Sequence, residues 1–387
     1  MPKTFHPYDP KYAAPSFDEL FKPTEIAIAT ANPLVARGNR PLQMNFEQQL
    51  RALVYFHLEE HTSGRHLIQA LEEDDFARNH IAPPDGIQKS SFFEAINNRG
   101  LEQLGHVYQQ LQNQASNILP AQNTELGELV GIDGSLIQAV LSMYWADYRN
   151  GSKKAKVHVG FDINRGIPSK IFLTDGKEGE RPFVAMILSP GQTGVMDRGY
   201  QCHKSFDRWQ TDGKHFVCRI KANTRITCIQ VNPVPTNSIV FYDAIVLLGT
   251  PGVNQTQKQL RLVGYRVDNV DYWVATDRHD LSAEQVAFIY KLRWQIEKFF
   301  GWWKRLLKVY HLIARTEYGL MVQILSGLIT YLLLAIYCHN HYREMVSIKR
   351  VRELRIRIQN ELRDSEQKAP IPSDFKEHGG DILTAKT

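Results

Sequence analysis

The sequence is poor in cysteine. Four residues, Cys202, Cys218, Cys228 and Cys338, are spread over its C-terminal half. They form no CxxC pair and no metal-ligand spacing, which argues against a disulfide-stapled secreted module and a zinc finger. The N-terminal stretch MPKTFHPYDPKY lacks the apolar core of a secretory signal, so the thiols are read as reduced, in the cytosol. No internal repeat is present. One apolar run, Leu320 to Cys338, approaches the length of a membrane span. Gln323, Ser326 and Thr330 dilute it, so a buried core helix is expected and no membrane partner.

What is present is unevenly distributed. With 387 residues the chain has room for two or three domains with a substantial core. Lys+Arg 46 against Asp+Glu 41 leaves +5. The surplus gathers in the C-terminal third, an asymmetry that points to a polyanion partner. From Ile289 to Arg315 the chain reads IYKLRWQIEKFFGWWKRLLKVYHLIAR, with seven cations against one acid, Glu297. Read as one helix with Tyr290 at zero, Arg293, Glu297 and Lys304 fall at about 300°, 340° and 320°. These four share a narrow face, with Trp294 and Gly301 beside them, and Leu292, Ile296, Phe299, Trp303 and Leu306 form an apolar stripe opposite. A solvated basic face would account for the amphipathicity. It does not account for a lone carboxylate among cations, which suits a metal ligand with the cations left to hold phosphates.

In chain order, residues 1–40 are rich in proline, lack periodicity and read as a flexible arm. Residues 41–124 carry short helical patterns: FEQQLRALVYFHLEEH, SGRHLIQALEED, SSFFEAINNRG and LEQLGHVYQQLQNQA. Ser90 or Ser91 is the expected cap of the third, with Glu94 completing a capping box. Short helices joined by tight turns are compatible with a DNA-binding domain, although most small helical domains bind none. Residues 125–223 turn to strands and then to strands alternating with helices, the first part of a mixed α/β core, with turn chemistry at Asn150-Gly151 and Arg165-Gly166. Residues 224–277 are strand-rich without a helix signal, a β insertion. Residues 278–338 resume the core with the Glu297 helix. Residues 339–387 read as a mixed-charge helical region with a disordered polar tail.

Two aspartates stand out. Asp133 interrupts an apolar strand pattern between Gly131 and Gly134, where an ionised carboxylate is expensive unless paired or metal-bound. Asp197, followed by Arg198, Gly199 and Tyr200, closes another strand, the place where α/β proteins put their sites. Asp162 and Asp175 sit beside turn signals and read as turn acids, and Asp147, Asp207 and Asp212 have the bland surface reading. His158, His203 and His215 suggest no metal cluster. Two strand aspartates and a helical glutamate are a set that chelates two Mg²⁺ ions, with Mn²⁺ able to substitute. Two metals about 3.5–4 Å apart activate the attacking oxygen and stabilise the leaving one in phosphoryl transfer.

The pattern Tyr290-x2-Arg293-x3-Glu297-x6-Lys304 resembles the signature of DDE transposases of the insertion sequence 4 family. Asp133 in GIDGS, Asp197 in MDRGY and a β insertion before the glutamate agree in order, over about Glu125 to Tyr337. The resemblance implies an α/β fold: an RNase H-like mixed sheet with flanking helices and a β-strand insertion, preceded by an all-helical N-terminal domain and followed by C-terminal helices. It implies Asp133, Asp197 and Glu297 as catalytic residues and metal ligands. It implies cut-and-paste transposition, with nicking, hairpin formation and resolution, and strand transfer by a 3′-hydroxyl. The partners implied are double-stranded DNA, as terminal inverted repeats and target, and a second copy in a synaptic homodimer. The implied location is the bacterial cytoplasm, at the nucleoid. Tyr290, Arg293 and Lys304 are then the phosphate holders, joined in the DNA-binding set by Arg198 and Lys298. Trp294 is a platform for a flipped base, or else a rim residue packed on the β insertion. Trp273 is a second stacking candidate, and Trp302 and Trp303 read as core. Two other classes compete: a metal-dependent nuclease on the same core, and a non-catalytic DNA-binding derivative.

Overall fold

The computed structural model describes residues 16–36, 41–59, 61–140, 142–146, 148–149, 152–234, 236–305 and 311–366. Much of the expected arm, the tail past 366, Asp147, the Asn150-Gly151 turn, Leu306 and Lys308 lie outside the described residues. The described part of the arm is helical: α1 (Ser16–Phe21) and α2 (Glu25–Thr30), joined by one 3₁₀ turn. Phe17, Leu20 and Phe21 are at most 1% exposed, so this piece is core, contrary to the expectation. Apolar residues at i, i+3 and i+4 make one buried face even in six residues, and Pro23 near the start of a helical turn costs no hydrogen bond.

The expected helical patterns become α3 (Phe46–Leu58), α4 (Gly64–Glu73), α5 (Lys89–Asn98) and α6 (Leu101–Ile118). Asn45 and Gln48 form a full capping box on α3. α5 begins after Gln88 without a side-chain cap. Ser90 and Ser91 therefore lie inside the helix and do not cap it, because the chain turns helical one residue before them.

A nine-stranded mixed sheet comes next. Strands β1 (Leu129–Gln138), β2 (Lys154–Asp162) and β3 (Ile167–Asp175) form an antiparallel meander. Helix α7 (Arg181–Ile187) leads to β4 (Thr193–Met196), which pairs with β1 in parallel. Helix α8 (His203–Thr211) leads to β5 (His215–Arg219), parallel to β4. Strands β6 (Ile226–Val231), β7 (Val240–Leu248), β8 (Leu260–Val267) and β9 (Val270–Thr276) are antiparallel. β9 pairs with β5, so the sheet order is β3-β2-β1-β4-β5-β9-β8-β7-β6. The β insertion thus extends the sheet and is not a separate body.

Helices α9 (Ala283–Leu292), α10 (Trp294–Arg305), α11 (Glu317–Tyr342) and α12 (Ile348–Glu366) complete the chain. The single helix expected from Ile289 breaks at Arg293. There Arg293 N–H donates to Tyr290 and Ile296 N–H to Arg293, both at 3.2 Å in i→i−3 fashion, a tightened turn that sets the direction of α10. α11 is long and apolar enough to cross a membrane, yet it is buried against α3, α5, α6 and β3. Its diluting polar residues are satisfied inside the protein. Gln323 donates to the His311 carbonyl at 2.9 Å, Ser326 pairs with His57 at 3.0 Å, and Thr330 donates to the Ser326 carbonyl at 2.8 Å. Buried polar groups paired in this way belong to a core helix.

Candidate active site

The parallel register of β1 and β4 ends at Gly131 opposite Val195. Asp133 and Asp197 each lie two residues beyond that last pair, so the sheet brings them to one edge, where the two strands part. Asp197 also caps the 3₁₀ turn Arg198–Tyr200, its Oδ1 accepting the Gly199 N–H at 2.8 Å. A side chain at 199 would place Cβ 2.9 Å from that oxygen, so any larger residue there would push the Asp197 carboxylate aside. Asp133 Oδ1 accepts the N–H of Gly134 at 2.8 Å.

Burial dominates the electrostatics of Asp133. It pushes the carboxyl up to about 7; the Gly134 N–H and Arg293 pull the other way, and the like charges of Asp197 and Glu180 add to the rise.

Helix α10 lies along β1. Ile296 packs over Gly131, and Lys304 Nζ donates to the Leu136 carbonyl at 3.2 Å. The helix is held by its apolar stripe: Ile296, Phe299 and Trp303 are no more than 2% exposed, each worth roughly 1.5–3 kcal/mol of burial. Arg293 and Lys304 both act electrostatically on Asp133. Burial lowers the Lys304 pKa, and Asp133 partly offsets this.

Glu297 is turned toward Arg293, Nη2 to Oε1 2.6 Å. Tyr290, expected as a phosphate holder, is buried, with the Arg293 guanidinium 5.6 Å above its ring. As the chain stands it supports Arg293. Trp294 is 61% exposed, and Lys298 and Arg198 are exposed as well. Trp273 is wedged edge-on against Phe241 and Tyr242, at 5.3 and 5.2 Å. His158, His203 and His215 are bonded to Thr174, Asn254 and Asp277.

Three groups here carry little or no signal in the sequence: Glu180, Tyr200 and Arg219. Tyr200 stands three residues after Asp197, in the same short motif, which is a weak signal. Glu180 and Arg219 belong to no motif; Arg219 reaches the site through the register of β5, and Glu180 through the loop that enters α7.

Among the described residues no three His, Cys, Asp or Glu side chains converge closely enough to hold a metal ion as they stand. The donor set nevertheless fits a divalent cation. Asp133 is crowded by two further carboxylates and held against its own ionisation, a load that an added cation relieves.

Residues 126–333, more than half of the chain, match the family described as Transposase DDE domain. The chain belongs to that family. Membership carries a general dependence on divalent metal and is consistent with the insertion sequence 4 signature. A transposase of insertion sequence element IS5377 of Geobacillus stearothermophilus is 29% identical to this DDE protein over 192 residues, 49% of this chain and 51% of its own length. The transposase y4zB of Sinorhizobium fredii is 28% identical over 227 residues, 57% and 63% of the two chains. One for insertion sequence element IS4SA of Synechocystis is 25% identical over 256 residues, 63% and 70%. The chain thus spans about half to seven-tenths of the curated relatives it matches. A piggyBac transposase synaptic complex with hairpin DNA is a distant likeness, 12% identical with a TM-score of 0.44, over 92% of this chain and 80% of that one.

Proposed function

We propose that this chain is the transposase of a bacterial insertion sequence, cutting and rejoining DNA at terminal inverted repeats. The finer fold reading goes with it: β3-β2-β1-β4-β5, three antiparallel strands and two parallel ones, is an RNase H-like core, and β6–β9 are its insertion. The observation that carries the reading is the equal placement of Asp133 and Asp197 past the last β1–β4 pair, with basic helix α10 laid over β1 beside them.

Asp133, Asp197 and Glu297 are the residues to hold two Mg²⁺ ions, or Mn²⁺, which supply Lewis-acid and nucleophile-activating chemistry when bound. The chain's own part is to bind and aim the DNA. Arg293 takes a phosphate in bidentate fashion, and that exchange frees Glu297 from its present ion pair. Tyr290 fixes the guanidinium from below, and Lys304 adds a second cation at the far end of the carboxylates. Arg198 and Lys298 track the strand at the rim. Trp294 offers an open ring to an unpaired terminal base, as hairpin formation requires. The N-terminal helices contact the repeat, two copies synapse two ends, and the work is done at the nucleoid.

The test is a labelled duplex of the element's own end, incubated with Mg²⁺ and with wild type or Glu297→Gln. Nicking and hairpin formation by wild type alone supports the reading. Binding without cutting by both, in Mn²⁺ as well, moves the protein to a binding-only derivative. Cutting of any duplex without paired ends makes it a nuclease.

A further inference from the structure

The entry into α7 lies against the turn that carries Asp197. Glu180 ends the loop after β3, one residue before that helix. Its carboxylate stands over Gly134, where a Cβ would lie 2.7 Å from Oε1. Strand β1 admits it because the residue after Asp133 has no side chain. Lys156 on β2 reaches the same oxygen at 3.6 Å and donates to the Glu178 carbonyl at 2.7 Å, tying the loop to the sheet. Glu180 also acts on the hydroxyl of Tyr200, a residue only 1% exposed, and helps to raise its pKa. Next to it, Arg181 Nε donates to the Gly199 carbonyl at 2.9 Å. Gly199 and Tyr200 are the residues whose own N–H groups bond back to Asp197, to Oδ1 at 2.8 Å and to the main-chain carbonyl at 3.2 Å.

We propose that Glu180 is a positioning residue for Asp197: with Arg181 it clamps the turn 197–200 and so aims the Asp197 carboxylate. The inference deepens the transposase reading and rests on it for its cleavage readout alone. Asp197 stands at the end of a four-residue strand, and the turn directs its Oδ1 through the Gly199 N–H. A carboxylate displaced by an ångström loses much of its effect on a reacting centre. The partly exposed Lys156–Glu180 pair adds little stability of its own. The Arg181 bond to the Gly199 carbonyl, with Glu180 set against buried Tyr200, is what transmits the constraint.

The experiment compares full-length Glu180→Ala, Glu180→Gln and Tyr200→Phe with wild type. Mn²⁺ binding is measured by calorimetry without DNA, and end cleavage in single turnover. Glutamine keeps an acceptor for Tyr200 and loses the charge; alanine loses both. Glu180→Ala and Tyr200→Phe are expected to weaken Mn²⁺ binding and slow cleavage by about 10–100-fold, with Glu180→Gln near wild type and end binding unchanged in all three. Wild-type behaviour of Glu180→Ala overturns the clamp. So does a Glu180→Gln that falls as far as Glu180→Ala, since charge and not position is then what matters. If wild type binds Mn²⁺ but cuts no end, the transposase reading fails, while the Mn²⁺ pattern across the variants still decides the clamp.

Discussion

Two aspartates of the same sheet keep opposite company. Asp243, on β7 in the insertion, is 3% exposed and fully met. Arg261 donates to both of its oxygens at 2.9 and 2.7 Å, and Asn232 adds a third bond at 3.0 Å. Asp133, on β1, is partly buried and has one short bond, from its own neighbour Gly134. The arginine within electrostatic reach of it, Arg293, spends Nη2 on Glu297. The insertion half of the sheet closes its charges internally. The β1–β4 half leaves acid uncompensated and basic groups around it, which is what a site for an external cation and a polyanion requires.

Removing each carboxylate in turn is expected to separate the two halves most strongly. Asp133→Asn is expected to reduce end cleavage to background while leaving the melting temperature unchanged or higher, because it removes a buried charge with too few partners. A clear drop in melting temperature would put Asp133 with Asp243 as a structural acid. Asp243→Ala should do the reverse: about 3–5 kcal/mol off the unfolding free energy in denaturant, since Arg261 is left buried without its carboxylate and with only the Leu281 carbonyl. Its cleavage rate per folded molecule should stay near wild type.

Trp294→Ala sharpens the contrast within α10. It should weaken binding to ends with an unpaired terminal base by about 1–3 kcal/mol, without touching fully paired duplex or thermal stability. Equal loss on both DNAs would exclude base stacking.

The smallest expected effect is a pH dependence to which the β1–β4 half contributes and the insertion does not. Burial, with Lys156 adding, pulls the His158 pKa down from 6.5 to about 4. The unfolded chain therefore takes up this proton first as pH falls. The stability it represents is present above pH 6.5 and lost on the way down to about 4, on the order of 1–2 kcal/mol by pH 5. Comparing the pH 5 to pH 7 change in urea midpoint of wild type with that of His158→Gln isolates this contribution from His61, also held down to about 4, and from Asp133, whose raised pKa acts in the opposite direction. The insertion has no histidine between 226 and 276 and contributes no such loss.

Much of the fold and of the candidate site is legible in the residues because it is local. The alternation of β1 to β5, the apolar stripe of α10, the strand-end position of Asp197 and the polar dilution of α11 all lie within a few residues of one another. The short face Phe17, Leu20, Phe21 is hard to read because six residues give too little periodicity beside a proline-rich start. The break at Arg293 is silent because residues 289–305 carry no glycine-proline signal, and the tightening is made in the backbone.

Residue pattern alone singled out Asp133, Asp197 and Glu297, the succession of strands and helices in the core, and the apolar stripe that lays α10 on the sheet. These follow from side-chain period and from the cost of a carboxylate in an apolar strand. That β6–β9 continue the same sheet, that Tyr290 supports Arg293, that Glu297 is held by that arginine, and that Glu180 reaches Tyr200 over Gly134 emerged in the folded chain alone. Those facts depend on strand register and on contacts between distant segments. Neither leaves a periodic trace in the residues that make them.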